Sequence, residues 1–174
     1  MRRLSKAPFL SALLLIATQC DAASLNLSLT VPTINATEYH RPYIAVWIER
    51  PDASVAANLA VWYQQTATRE GDGTKWLADL RQWWRRSGRQ QTYPIDGVSG
   101  ATRPAGMHQL RFKSQTEPLK SLAAGNYRLV VEAAREVGGR ELLKLDFTWP
   151  PTTTKQKSIQ GKTELGAIQL DLLP

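Results

Sequence analysis

Cysteine, histidine and long apolar runs are all scarce in this chain of 174 residues. A single cysteine excludes an internal disulfide framework, a zinc ribbon and an iron–sulfur cluster, and two histidines leave little scope for an all-protein metal site. No apolar run is long enough for a lasting transmembrane anchor. With 43% hydrophobic and 21% charged residues, the composition is that of a globular protein, which excludes a disordered, collagen-like or coiled-coil chain.

The first 22 residues have the layout of a secretory signal peptide. Three basic residues, Arg2, Arg3 and Lys6, precede an apolar run over 9–17. Ala22 follows Cys20 by two positions, which is an acceptable small-x-small cleavage site, so we expect a cut near residues 22–23 and a periplasmic protein. Lipidation of Cys20 is the alternative, and Gln19 before it disfavours that modification.

The net charge of +7 would on its own favour a nucleic-acid partner. Export argues against that partner, because an exported protein does not meet the genome. The signal peptide holds three of the 22 basic residues and one of the 15 acidic ones, which leaves a net charge of +5 on residues 23–174. This charge suits solubility, an anionic cofactor or an acidic partner.

The dominant hydrophobic period after the signal peptide is two, which predicts β-strands. Residues 25–31 alternate apolar and polar, as expected of a strand with one wet face. Residues 43–48 and 58–63 are almost entirely apolar, which is typical of central strands covered on both faces.

The clearest hairpin joins residues 127–133 to residues 143–149. Gly138-Gly139 is the predicted turn, and Arg128 and Glu132 take outward positions on the first strand.

Pro150-Pro151 is expected to end this hairpin, because proline cannot donate to a strand ladder. A polar loop over 152–162 and a last strand near 166–172 follow. Together these patterns predict a mainly β fold for residues 23–174, a single domain built as an antiparallel two-sheet sandwich of the immunoglobulin-like kind with one inserted helix.

The inserted helix is predicted from the helical spacing of five apolar residues: Trp76, Leu77, Leu80, Trp83 and Trp84. Thr74 is the expected N-cap, and Gly88 is the expected stop. We expect the tryptophans to close one end of the sandwich. The alternative places Trp83 and Trp84, with the following Arg85 and Arg86, beside a bound ligand.

Residues 96–102 read Asp-Gly-Val-Ser-Gly-Ala-Thr, or D-x-x-S-G-A-T. This resembles the acceptor motif of proteins that carry flavin mononucleotide (FMN) covalently on a threonine, attached by the bacterial flavin transferase. The resemblance implies a threonyl phosphodiester to FMN at Thr102. The candidate cofactor-binding residues are Asp96, Ser99, Gly100, Ala101, Thr102 and Arg103.

Each residue type suits the transfer of a flavin phosphate to a hydroxyl. Ser99, Gly100 and Ala101 have little side-chain bulk, and Gly100 allows unusual backbone angles, so a thin segment could enter the pocket of the transferase. Asp96 would position the segment, and Arg103 could pair with the phosphate. The structural alternative is an ordinary polar loop between strands.

Longer stretches of the chain, residues 39–49, 59–63, 75–84 and 96–106, resemble a family of predicted periplasmic proteins classed as a domain of unknown function, family 2271. The similarity runs from about residue 25 to residue 170. It implies a periplasmic covalent flavoprotein, matured by a flavin transferase and served by a PepSY-type membrane protein that passes electrons across the inner membrane.

The chain has no Gly-x-Gly-x-x-Gly motif after a strand and no obvious acid–base pair, so we expect an electron carrier and not a self-sufficient reductase. His40 and His108 are interpreted as surface or strand residues. The alternative function is a flavin-free carbohydrate- or protein-binding module, for which a carbohydrate site would need a row of exposed aromatic side chains.

Overall fold

A computed structural model describes residues 22–67 and 71–174 of the chain. The predicted signal peptide up to residue 21, with Cys20, lies outside these described residues. The strands are β1 (Ser24–Val31), β2 (Tyr43–Glu49), β3 (Val55–Tyr63), β4 (Ser99–Ala101), β5 (Gly106–Lys113), β6 (Gly125–Ala134), β7 (Arg140–Trp149), β8 (Lys155–Gln160) and β9 (Ala167–Leu173). The helical segments are a 3₁₀ helix at Gly73–Asp79, α1 (Arg81–Arg86) and a 3₁₀ turn at Gly88–Gln90.

The strands form a four-stranded sheet in the order β5-β1-β9-β8 and a five-stranded sheet in the order β4-β3-β2-β6-β7. The two sheets pack face to face, and alternate residues of β1, among them Leu25, Leu27 and Leu29, are fully buried between them. The predicted mainly β sandwich is therefore confirmed. One pairing departs from the antiparallel pattern, because β4 runs parallel to β3.

The outer face of the five-stranded sheet is covered by the helical segments. Leu77, Leu80 and Trp83 are fully buried there against residues of β2, β3 and β6. This second apolar layer explains why β2 and β3 are apolar at successive positions, as the sequence predicts. The expectation that the tryptophans close one end of the sandwich is wrong, since the segment lies across a sheet face.

The predicted single helix is also wrong in detail. A 3₁₀ helix and α1 share its length, and they meet at Leu80, whose backbone departs from helical angles. The N-cap is Asp72, whose carboxylate accepts a hydrogen bond from the Thr74 N–H at 3.0 Å, and not Thr74 itself. Arg85 and Arg86 occupy the last turn of α1, where positive charge suits the helix dipole.

Glu132 of β6 joins α1 to the sheet. Its carboxylate accepts hydrogen bonds from the backbone N–H groups of Gln82 and Trp83 and from the Arg140 Nε at 2.6 Å. The predicted outward register of Glu132 is correct, but its side chain is fully buried, because α1 covers that face of the sheet.

One prediction made from polar composition is wrong near the C-terminus. Residues 155–160 form β8, an edge strand, where a loop was expected. Its Lys155 and Lys157 sit opposite the buried Leu172 and Leu170, and such lysines discourage further pairing at an exposed edge. The predicted β6–β7 hairpin is confirmed, and Gly138-Gly139 lies in its turn over residues 135–139, where the residue with positive φ is Val137.

Candidate functional site

The D-x-x-S-G-A-T segment begins with a tight turn that Ser99 closes. The Ser99 Oγ accepts a hydrogen bond from the Ile95 N–H at 2.8 Å, and the Ser99 N–H donates to the Ile95 carbonyl at 2.9 Å. Gly97 stands at φ +66°, a left-handed conformation that costs glycine little. β4 begins directly at the end of this turn.

Gly100 lies opposite Trp62 in the parallel β3–β4 pairing. A Cβ atom on Gly100 would stand 3.2 Å from Cδ1 of the Trp62 indole, so glycine allows the edge strand to approach a buried tryptophan. The expected need for unusual backbone angles at Gly100 is not met, since the positive φ belongs to Gly97.

The parallel direction of β4 determines where Thr102 lies. Because β4 runs alongside β3, both strands end at the same end of the sheet, where antiparallel β2 begins and β6 ends. The register aligns Ala101 with Tyr63. An antiparallel β4 would have carried Thr102 towards the opposite end of the sheet.

A cavity of about 240 Å³ opens at this end of the sheet, and Thr102 is part of its wall. We name it the Thr102 cavity. Its other lining residues are Tyr39, His40, Arg41, Tyr43, Gln64, Trp76, Asp79, Ala134 and Glu136. Thr102 itself is half-buried, and its hydroxyl makes no hydrogen bond to any other part of the chain that the structure describes.

The aromatic walls of the cavity are held by the start of the 3₁₀ helix. Gly73 packs so tightly against the Gln64 carbonyl that a Cβ atom could not be accommodated, and its own carbonyl accepts a hydrogen bond from the Tyr43 hydroxyl at 3.2 Å. This contact and the Asp72 cap fix the helix whose next turn carries Trp76.

Charged groups of both signs border the Thr102 cavity. His40 Nε2 lies 3.0 Å from Glu38, and its Nδ1 lies 3.6 Å from Glu136. Burial, assisted by carboxylates that include Glu136, raises the pKa of Tyr43 above its ordinary value, so this phenol stays protonated at neutral pH. Arg41 supplies a cation from the same wall.

Asp96 and Arg103 flank the acceptor segment and both are exposed. The Asp96 carboxylate makes no hydrogen bond or ion pair within the described ranges 22–67 and 71–174, so the internal closure of the turn depends on Ser99. The Arg103 guanidinium lies 5.3 Å from the centroid of the Trp62 ring, a cation–π distance.

The chain's family follows from a match over residues 24–167 to the model of DUF2271, described as a predicted periplasmic protein. The chain belongs to this family. Its location is accordingly the periplasm. No curated protein and no solved structure matches the chain. In the described residues, no helix has the length and apolar character needed to cross a bilayer.

Most residues that line the Thr102 cavity could not be predicted from local sequence patterns. Some of them lie in residues 39–49 and 75–84, which carry part of the DUF2271 resemblance. Spacing along the chain gives no reason to bring Tyr39 next to Trp76 or Glu136. Trp76 of the predicted helix lines the cavity, but Trp83 does not: it is fully buried, and its indole N–H donates to Asn58. The expectation that Trp83 contacts a ligand is therefore wrong.

Trp84 stacks on Tyr93 and lies outside the Thr102 cavity, as do Arg85 and Arg86. Arg86 instead donates to the Ala53 carbonyl at 2.6 Å and approaches Glu49. Within the described residues, no cluster of three or more histidine, cysteine or acidic side chains is placed to hold a metal ion.

Proposed function

We propose that this protein carries FMN covalently on Thr102 and exchanges electrons in the periplasm. The observation that supports this most is the setting of Thr102, an unbonded hydroxyl at the end of a slender edge strand and in the wall of a cavity. An ordinary connecting loop has no requirement for such an arrangement, whereas an acceptor must be reached by another enzyme and must then accommodate its cofactor.

The attachment step is a phosphoryl-type transfer from flavin adenine dinucleotide within the flavin transferase. The Thr102 Oγ1 attacks the phosphorus on the riboflavin side of the pyrophosphate, and the bond from that phosphorus to the bridging oxygen breaks. Adenosine monophosphate leaves, and the threonine proton passes to the transferase or to water. The small side chains of Ser99, Gly100 and Ala101 keep the approach to Thr102 open.

The residues beside Thr102 suit the charge and shape of FMN. Arg103 follows the acceptor directly, and Arg41 lies in the cavity wall, so two guanidinium groups are available for the phosphodiester. The cavity volume of about 240 Å³ is below the roughly 300–1,000 Å³ that encloses a drug-sized ligand. A flavin ring there would retain an exposed edge for electron exchange.

When bound, the isoalloxazine ring supplies reversible one- or two-electron chemistry, with electrons taken from a PepSY-type membrane reductase and passed in equal number to an acceptor. The polypeptide contributes attachment, orientation and partial shielding of the ring from water. We expect no nicotinamide site, because the sequence has no Gly-x-Gly-x-x-Gly motif after a strand.

The flavin-loaded protein should therefore react slowly or not at all with NADH. Stopped-flow absorbance at the flavin band, with NADH alone, checks this expectation, and membranes that contain the PepSY-type reductase should accelerate the reduction. Rapid reduction by NADH without membranes would identify the protein as a reductase and contradict the carrier function.

Asp96→Ala should lower flavin loading while the free energy of unfolding changes by less than about 0.5 kcal/mol, because an exposed carboxylate without internal partners is available to the transferase and contributes little to the fold. Intact-mass analysis under limiting transferase gives the loading. Asp146→Ala is the matched control, an exposed carboxylate on the opposite edge strand, and it should load normally. Equal flavin loading of the two variants would show that Asp96 is only a turn residue.

The binding-module alternative makes a different prediction for the purified protein. A yellow, fluorescent sample supports the flavin proposal, whereas a colourless sample that shifts on adding oligosaccharide supports the alternative. In the described part of the chain, the exposed large aromatic side chains are Tyr39 and Trp76, and both line the Thr102 cavity instead of forming a row on a sheet face.

A further inference from the structure

We infer that the Thr102 cavity is the binding site of the flavin ring itself, with Trp76 and Tyr39 as its aromatic contacts; this rests on the proposed attachment at Thr102. The site takes a planar, fused-ring heterocycle linked through a phosphate. Attachment alone does not require such a site, because a tethered ring could remain in solvent.

The exposure of the two aromatic residues is the first observation. Trp76 is 38% exposed and Tyr39 is 40% exposed, whereas most other large aromatic side chains of the described residues are buried in the two apolar layers. Exposed aromatic surface in water is unfavourable, and a planar ligand that stacks on it removes that cost. Both side chains border one cavity, so a single ligand can contact both.

The polar groups of the cavity match a flavin better than a purely apolar ligand. The lining includes Ala134, whose side chain is small, and Tyr43, whose hydroxyl donates to the Gly73 carbonyl and has an oxygen that can still accept a hydrogen bond. The Gln64 amide gives one N–H group to the Thr66 carbonyl, and its second N–H can donate to a carbonyl or nitrogen acceptor at the edge of an isoalloxazine. The cavity therefore combines aromatic faces with several polar and charged side chains, a combination that suits a planar polar heterocycle.

The tether excludes two larger concavities of the described residues. One, of about 340 Å³ and lined by residues such as Arg50 and Asn126, lies at the opposite end of the five-stranded sheet from Thr102. The other, a groove of about 590 Å³ lined by residues such as Trp149 and Leu119, lies beyond the far end of β5. That strand begins four residues after Thr102 and its eight residues span roughly 25 Å. A phosphate and ribityl chain is much too short for that distance or for the length of the five-stranded sheet, so neither of these larger concavities is within its reach, whereas the Thr102 cavity includes the attachment residue itself.

Flavin fluorescence tests the inference, because an indole or phenol in contact with an isoalloxazine quenches its emission. The protein is co-expressed with the transferase, loading is measured by intact mass, and emission is expressed per bound flavin. We expect weak emission from the native protein and a rise on unfolding in guanidinium chloride. Trp76→Phe should at least double the native emission, since phenylalanine stacks but does not quench efficiently.

Trp84→Phe is the matched control, because Trp84 is a partly buried tryptophan that stacks on Tyr93 outside the cavity. The flavin emission of this variant should equal that of the wild type. Tyr39→Leu provides a second variant at the other exposed aromatic residue of the cavity. If the flavin-loaded Trp76→Phe and Tyr39→Leu proteins both keep the wild-type emission, the ring site is overturned, but the attachment at Thr102 is not. A wild-type protein without a covalent mass increment would overturn the attachment proposal and this inference together.

Discussion

Thr102→Ala should abolish covalent flavin completely, which is the largest effect expected of any single substitution in this chain. The variant lacks the hydroxyl that attacks the flavin phosphate, and no neighbouring group replaces it, since Ser99 is engaged with Ile95 through its Oγ. Denaturing electrophoresis followed by flavin fluorescence measures the loss, because only covalent flavin stays with the unfolded chain. The fold should be unaffected, as the Thr102 hydroxyl has no hydrogen-bond partner among the described residues.

Thr102→Ser is the matched control for this experiment. It keeps the nucleophilic oxygen and removes one methyl group, and it should retain covalent fluorescence. Fluorescence that persists in Thr102→Ala at the wild-type level would assign the flavin to another residue and contradict the role of Thr102.

Glu132→Ala should lower the free energy of unfolding by about 2–4 kcal/mol, because it leaves backbone N–H donors under α1 without an acceptor, at roughly 1–3 kcal/mol each. The fully buried carboxylate of Glu132 satisfies two backbone N–H groups at the start of α1 and pairs with Arg140. Its loss leaves those donors unpaired beneath the helix. Urea unfolding monitored by tryptophan fluorescence gives the change directly.

Two variants separate burial from charge in this effect. Glu132→Gln keeps one acceptor oxygen for α1 and should lie between the wild type and the alanine variant. Asp146→Ala breaks the exposed pair with Arg128 on the same sheet and should have little or no effect. A Glu132→Ala protein as stable as Asp146→Ala would show that the carboxylate does not hold α1 on the sheet.

Local patterns predicted much of the sandwich because the strands carry their own period. The alternation in residues 25–31 and the apolar run of residues 43–48 correspond to β1 and β2, and the facing positions of the β6–β7 hairpin match the core. Polar composition was misleading at β8, where an edge strand needs few apolar residues. The burial of Glu132 depends on a helix from a distant part of the chain, which no local pattern encodes.

The candidate site was likewise predictable from the sequence only in part. The acceptor segment is contiguous in sequence, so its motif could be recognised from residues 96–102 alone. The Thr102 cavity is assembled from five separate stretches by the parallel pairing of β4 with β3, an unusual direction that spacing does not specify. The division of the predicted helix at Leu80 likewise follows from packing on the sheet and separates Trp76, at the cavity, from the buried Trp83.

Peptide mapping of the wild-type protein, produced in the periplasm with its flavin transferase, tests the central claim most directly. Trypsin cleaves after Arg89 and Arg111 but spares the bond between Arg103 and Pro104, so one peptide, residues 90–111, contains the whole motif. We predict that this peptide carries a single FMN and that fragmentation assigns it to Thr102. An unmodified peptide, or one modified on Thr92 or Ser99, would contradict the account.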